Sequence, residues 1–240
     1  MSVETQNESA VRVNAAPAGD IVARVLYRDG LMLVIDKPAG LKVHAGTGGG
    51  PTLDAGFDAL RFGLPWPPAL AHRLDRDTSG CLVLGRHPKA LRRLGRLFAE
   101  GLVEKTYWAV VEGAPPAESG RIDAPLLRLA GKNGGRMTTD PAGQPAITDY
   151  RVRGRSGGLT WLELMPRTGR MHQIRVHCAA LGCPVLGDST YGRPDSGQPL
   201  HLHARAVAVP LHPKRPAIMV TAPVPPHMRA ALEACGLTEK

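Results

Sequence analysis

The spacing of apolar positions changes along the chain, and each change marks an element. Residues 22–28 and 31–37 are two short apolar-rich runs separated by Asp29-Gly30. An Asp-Gly pair between such runs predicts a hairpin in which both turn residues take positive φ. Lys37-Pro38-Ala39-Gly40 ends the second strand, and Gly46 to Pro51 reads as a flexible glycine-rich loop. Thr52 is placed to cap a short helix running to about Phe62, which the prolines between 65 and 68 break. His72 to Gly80 follows neither a helical nor a strand period and is expected to be an ordered loop. Cys81 to Leu84 reads as a buried strand. From Lys89 to Phe98 the period is helical. Leu91, Leu94 and Phe98 share one face, and Lys89, Arg92, Arg93 and Arg96 share the other.

Residues 105–111 predict another strand, and Lys132 to Pro145, polar and rich in glycine, predicts a mobile stretch. Strands follow at about 147–153 and 159–165. A loop at 166–170 leads into a helix from about Met171 to Leu181, closed by Gly182. Leu202 to Val209 alternates like a half-buried strand, and a last helix is expected near 226–235. Strands outnumber helices, and short turns join several of them. The pattern therefore predicts an α+β fold with a mixed, largely antiparallel central sheet flanked by helices and loops. Residues 1–20 are expected to form a flexible tail and residues 21–240 one folded domain.

Hydrophobic residues make up 43% of the 240-residue chain, enough for a packed core. No apolar run reaches membrane-spanning length, and the N-terminus lacks the basic and then apolar blocks of a secretory signal. A cytoplasmic protein away from the membrane is expected. The four cysteines form no C-x-x-C pair and read as free, buried thiols. The net charge of +9 changes the picture more, because it favours a polyanionic partner, nucleic acid or an anionic membrane surface. Between Arg86 and Arg155, 13 Lys and Arg face 7 Asp and Glu, which concentrates the surplus enough to suggest a binding face.

Two segments carry the chemistry. His72-Arg73-Leu74-Asp75-Arg76-Asp77-Thr78-Ser79-Gly80 packs two carboxylates, two guanidiniums and two hydroxyls into nine residues. By residue type alone it also fits a solvated turn in which Asp77 caps through Thr78 or Ser79. The second, Arg167 to His177, enters the predicted helix, whose first N–H groups, with Arg167 and Arg170 beside them, suit a phosphate or carboxylate. Arg175 lies close to the apolar side of that helix, near Ile174, so it needs an acidic partner, and Asp75 is a candidate.

The segment HRLDRDTSG resembles the signature of the RluA family of RNA pseudouridine synthases. Four further segments resemble the family in the same order: Val34 to Leu41, Lys105 to Val110, Arg167 to His177, and Leu186-Gly187-Asp188 with Tyr191-Gly192. The likeness spans about residues 25–225. It implies the pseudouridine synthase fold, with residues 21–240 as the catalytic domain and Asp75 as its essential carboxylate. It further implies Tyr107 against the target base, Arg175 paired with Asp75, and Arg73 entering the RNA where the base leaves. Arg76, Thr78, Arg167, Arg170, His172, Gln173 and Ile174 are expected to line the substrate site. The helix face of Lys89 and Arg93 fits either plain solvation or contact with RNA phosphates. The hairpin at Tyr27 to Lys37 begins too early to leave room for the small N-terminal RNA-binding domain of many relatives. The implied partner is RNA, a ribosomal or transfer RNA stem-loop, bound by a monomer.

The implied reaction breaks the bond from ribose to uracil nitrogen, rotates the base and rejoins it through carbon 5. Asp75 can attack the anomeric carbon or remove a ribose proton, and the sequence leaves both routes open. Either requires the ionised form, which a facing Arg175 favours. A stacked base must first be flipped out, and Tyr107 offers it a flat face. As a residue type alone, Tyr107 fits better as an ordinary strand aromatic in the core. An isomerisation needs no metal and no organic cofactor, and none is expected. Two rivals compete with this assignment. A zinc hydrolase could draw on His72, His172, His177, His201 and His203, but no H-E-x-x-H or cysteine spacing supports it. A non-catalytic RNA-binding module fits the charge but has no use for a carboxylate facing phosphates.

Overall fold

The computed structural model describes residues 20–45, 50–130, 135–194 and 197–238. Residues 1–19 of the expected tail, 46–49 of the glycine-rich loop and 132–134 of the polar stretch lie outside the described residues. The strands are β1 (Val25–Arg28), β2 (Met32–Lys37), β3 (Ala69–Leu70), β4 (Ser79–Gly85), β5 (Glu104–Glu112), β6 (Ser119–Asp123), β7 (Leu126–Leu129), β8 (Arg136–Thr139), β9 (Ile147–Ser156), β10 (Leu159–Pro166), β11 (Leu202–Val209) and β12 (Ile218–Thr221). The helices are α1 (Pro88–Ala99), α2 (Gln173–Ala180) and α3 (Pro226–Ala234), with a 3-10 helix at Asp54–Leu60.

Ten strands form one sheet in the order β1-β2-β4-β11-β5-β10-β9-β6, with β3 added on β4 and β12 on β11. β7 and β8 pair separately. The β4–β11 pairing is parallel and the other strand pairings are antiparallel, as the α+β reading expects.

Alternation along each strand gives the sheet two packed faces. On one, Leu33, Ile35, Leu82 and Leu84 join the 3-10 helix through Phe57 and Leu60. Farther along the same face, Ala109, Leu162 and Leu164 pack against Ile174 and Cys178 of α2. The opposite face carries α1, through Leu94 and Leu97, and α3, through Met228 and Leu232. Tyr107 touches both clusters of the first face, so it marks the seam between them at the centre of the sheet.

Several local expectations are corrected. The hairpin between β1 and β2 forms, but neither Asp29 nor Gly30 takes positive φ. The Asp29 carboxylate instead accepts the N–H groups of Leu31 (2.7 Å) and Met32 (2.8 Å), so a side chain closes the turn. Thr52 caps nothing, because its hydroxyl donates to Asp54 and the segment after it is 3-10 rather than α. In α1 the inward residues are Ala90, Leu94 and Leu97, while Leu91 and Phe98 are only half-buried. Part of the expected mobile stretch is a strand, β8. Pairing with β7 holds it, and the Met137 N–H donates to the Tyr191 hydroxyl at 3.1 Å. Strands β3, β6, β7, β8 and β12 were not foreseen. They are short, and β6 carries Ile122 as its one buried residue, so its backbone partner β9 and not its own period makes it a strand.

Candidate active site

The loop before β4 is held from beneath. Lys37, the last residue of β2, is fully buried, and its ammonium donates to the carbonyls of Pro38 (2.8 Å), Arg76 (2.7 Å) and Thr78 (2.9 Å). Burial pulls this lysine down to about 7, against the opposing pull of Asp77 and Asp75. At the start of the loop, His72 Nε2 accepts the Val83 N–H at 3.0 Å and its ring stacks on Phe98 with centroids 4.4 Å apart. Burial first, then the charge of Lys105, pushes His72 down to about 3, so it is a neutral acceptor. At the end, the Ser79 hydroxyl meets His203 Nδ1 at 2.9 Å across the parallel β4–β11 ladder. Gly80 is required there. Its φ is 103°, and a Cβ would run into the Ala204 carbonyl. Leu74 is buried in the core, so its neighbour Asp75 turns toward the cleft.

The second wall comes from the loop before α2 and from α2 itself. His172 sits at the helix start with φ 53°, one of two non-glycine residues in the left-handed region among those described. Such a backbone persists only where its surroundings hold it. Here Gln173 does so. Its side-chain oxygen accepts the Thr168 hydroxyl (2.7 Å) and the Arg170 N–H (3.0 Å), and its amide donates to Ile147 and Thr148. His172 Nδ1 lies 2.9 Å from the Tyr191 hydroxyl, and Nε2 lies 3.9 Å from an Asp75 oxygen. Burial lowers the pKa of His172, so the ring is neutral, and the carboxylate facing Nε2 favours the proton on that nitrogen.

Arg175 is the electrostatic centre of the site. Its guanidinium makes a bidentate pair with Asp188, Nε to Oδ2 at 2.7 Å and Nη2 to Oδ1 at 2.8 Å. Its third nitrogen, Nη1, lies 3.5 Å from Asp75. The expected partner is therefore present, but as the looser of two. Asp188 is placed by the turn after Gly187, whose φ of 79° and closeness to the Pro199 backbone suit only glycine. It also accepts the N–H groups of Thr190 (2.9 Å) and Tyr191 (3.0 Å). Burial raises its pKa, but the hydrogen bonds and charge of Arg175 outweigh burial and hold it below the usual carboxylate range.

Between these walls lies a cleft of about 430 Å³. Arg73, Asp75, Thr78, Tyr107, Arg170, His172, Gln173, Ile174 and Arg175 all line it, as do Lys105 and Met171, which sequence reasoning gave no role. The Tyr107 phenol is pushed well above its ordinary value by burial and then by the charge of Asp75, so it is a neutral hydroxyl. Other expected residues point elsewhere. Arg76 pairs with Asp77 at 2.9 Å and lines a separate cavity of about 660 Å³ behind the loop. Arg167 pairs with Asp149 at 2.7 Å, a carboxylate that also holds Arg121. Lys89 and Arg93 lie on α1, outside the cleft lining. Asp188 and Lys37 sit inside the segments that carry the resemblance, but the fold alone pairs them with Arg175 and the loop carbonyls.

The five histidines weighed as zinc ligands each have a hydrogen-bond partner. His177 contacts Thr148 and Ala124, and His201 contacts Pro199, while the other three are described above. Among the described residues no three His, Cys, Asp or Glu side chains group to hold a metal ion. None of the described helices is long and apolar enough to cross a membrane.

Residues 31–180 match the family model described as RNA pseudouridylate synthase. An uncharacterized RNA pseudouridine synthase of Zymomonas mobilis is 41% identical over 209 residues, covering 85% of this chain and 95% of the relative. The ribosomal large subunit pseudouridine synthase C of Haemophilus ducreyi is 35% identical over 96% of this chain and 74% of its own length. Among solved structures, the human RNA pseudouridylate synthase domain containing 4 superposes with a TM-score of 0.77 at 27% identity, covering 91% of this chain and 95% of that one. The chain belongs to the RluA-type family of RNA pseudouridine synthases and is an enzyme of that class.

Proposed function

We propose that this enzyme isomerises specific uridines in structured RNA, ribosomal or transfer, with Asp75 as the catalytic carboxylate and the target base flipped into the cleft. One observation supports this above the others. Among the described residues the Asp75 carboxylate accepts no hydrogen bond, yet it faces the cleft 3.5 Å from a guanidinium that Asp188 holds in place. An ionised carboxylate with free lone pairs can attack the anomeric carbon or take a ribose proton as uracil departs. The flipped base stacks on Tyr107, whose raised pKa makes it a neutral platform and donor rather than a phenolate. Arg73, exposed at the cleft edge, fills the gap the base leaves. Arg170 takes a backbone phosphate at the rim. Gln173 and His172 shape the second wall. The similarity to a ribosomal large subunit synthase supports large-subunit RNA as the first substrate to examine.

The test has two parts. Pseudouridines are mapped in RNA from cells with and without the gene, which names the target. Tritium release from uracil carbon 5 is then measured on that RNA with wild type and Asp75→Asn. The variant is expected to bind the RNA and release nothing above background. Sustained turnover by it removes Asp75 from the essential role.

A further inference from the structure

We propose that Lys105 holds a phosphodiester oxygen of the target nucleotide at the mouth of the cleft. Lys105 and Tyr107 are two residues apart on β5, so their side chains share one face of the sheet. Tyr107 and Lys105 are both half-buried and both line the cleft, and Glu104, next to Lys105 on the side away from Tyr107, is exposed. Lys105 therefore lies between the place of the base and the rim. Its ammonium has three protons to donate. One goes to the Thr168 carbonyl at 3.2 Å, on the loop that carries Arg170.

No carboxylate among the described residues lies within ion-pair distance of Lys105. Desolvation alone pulls its pKa down, to about 8. The neighbour that feels its charge, His72, is neutral. The cleft's carboxylate, Asp75, lies against Arg175 instead. A half-buried ammonium without a counter-charge is unfavourable unless its anion arrives with the ligand. RNA brings one kind of formal anion, the phosphodiester, because uracil enters neutral. Lysine meets phosphate as a point charge, which suits the remaining protons.

This inference rests on the cleft being the site of the target nucleotide. The test uses an RNA hairpin spanning the mapped uridine, unmodified or with a neutral methylphosphonate at the 5′ or the 3′ linkage of that uridine. Single-turnover rates are measured against enzyme concentration for wild type, Lys105→Met and Lys105→Gln. Gln keeps a donor for the Thr168 carbonyl but has no charge. Both variants are expected to raise the half-saturating concentration about tenfold or more, with little change in the maximal rate. One methylphosphonate should weaken wild type by a similar factor and add nothing to either variant.

The inference is overturned if Gln restores wild-type behaviour, which would make Lys105 a tether for the loop. It also fails if the maximal rate collapses without coupling to either linkage, the sign of a role on the departing uracil. Wild type indifferent to both methylphosphonates overturns it without any variant. Failure of the underlying site assignment is separate, and shows as turnover by Asp75→Asn.

Discussion

Asp75 and Asp188 approach the same guanidinium through different nitrogens, and they are treated in opposite ways. Asp188 has a fully buried side chain, and its oxygens accept two hydrogen bonds from Arg175 and two from backbone N–H groups. Asp75 is 24% exposed, with the Arg175 guanidinium at 3.5 Å and the neutral His172 ring at 3.9 Å. A carboxylate whose lone pairs are all committed stabilises structure, while one with a cation nearby and uncommitted lone pairs is available for chemistry. The same division runs through the basic residues. Arg167 and Arg76 are committed to Asp149 and Asp77, whereas Lys89 and Arg93 have no carboxylate partner among the described residues.

The largest expected effect comes from exchanging the two carboxylates' roles by mutation. Asp75→Asn should cost at least about 10³-fold in single-turnover rate while changing unfolding free energy by less than about 1 kcal/mol. Asp188→Asn should do the reverse in kind, destabilising by about 3–5 kcal/mol because it strands a buried guanidinium. Denaturant unfolding of the two variants, side by side with rates, checks this. Equal stability losses would end the contrast. Arg175→Met removes the shared cation and should combine both phenotypes, with a rate loss on top of a stability loss of similar size.

Two smaller effects follow from pH. The folded-state pKa of Asp188 is depressed, so its contribution is complete above the unfolded carboxylate value of about 4 and disappears as pH falls through the folded one. Asp188→Asn should therefore flatten the acid limb of the stability profile relative to wild type. Lys37 works in the other direction. Its folded value, about 7, lies below its unfolded one. The unfolded chain thus binds the extra proton between about 7 and 10, and stability should rise with pH across that window. Lys37→Met should lose this rise, as thermal unfolding at stepped pH would show.

The smallest effect concerns Lys89 and Arg93 on the basic face of α1. Changing Lys89 and Arg93 to Gln should flatten the slope of log affinity against log salt by about one to two units. The maximal rate should stay almost unchanged. An unaltered slope would mean that the RNA path runs elsewhere.

What the sequence determined by itself was local or carried by contiguous residues. The hairpin, α1, β5, β9, β10, β11 and α3 were legible from apolar period and breakers, because each buries a face that its own residues define. The segments around Asp75, Tyr107 and Arg175 named the family, because each is a contiguous run of residues and the runs follow one another in the family's order. Tertiary structure decided the rest. Strands such as β6 exist because a neighbouring backbone pairs with them, and nothing in Ser119–Asp123 announces that partner. Asp188, 13 residues beyond Arg175, takes the close pairing that Asp75 was expected to have. Lys37, 38 residues before Asp75, holds the loop that carries Asp75 by its carbonyls. Backbone carbonyls and N–H groups are the same at every residue, so no sequence pattern marks which of them a distant side chain will reach. Packing the two core clusters against one sheet brings those partners together, and it leaves Asp75 uncommitted at the seam between them.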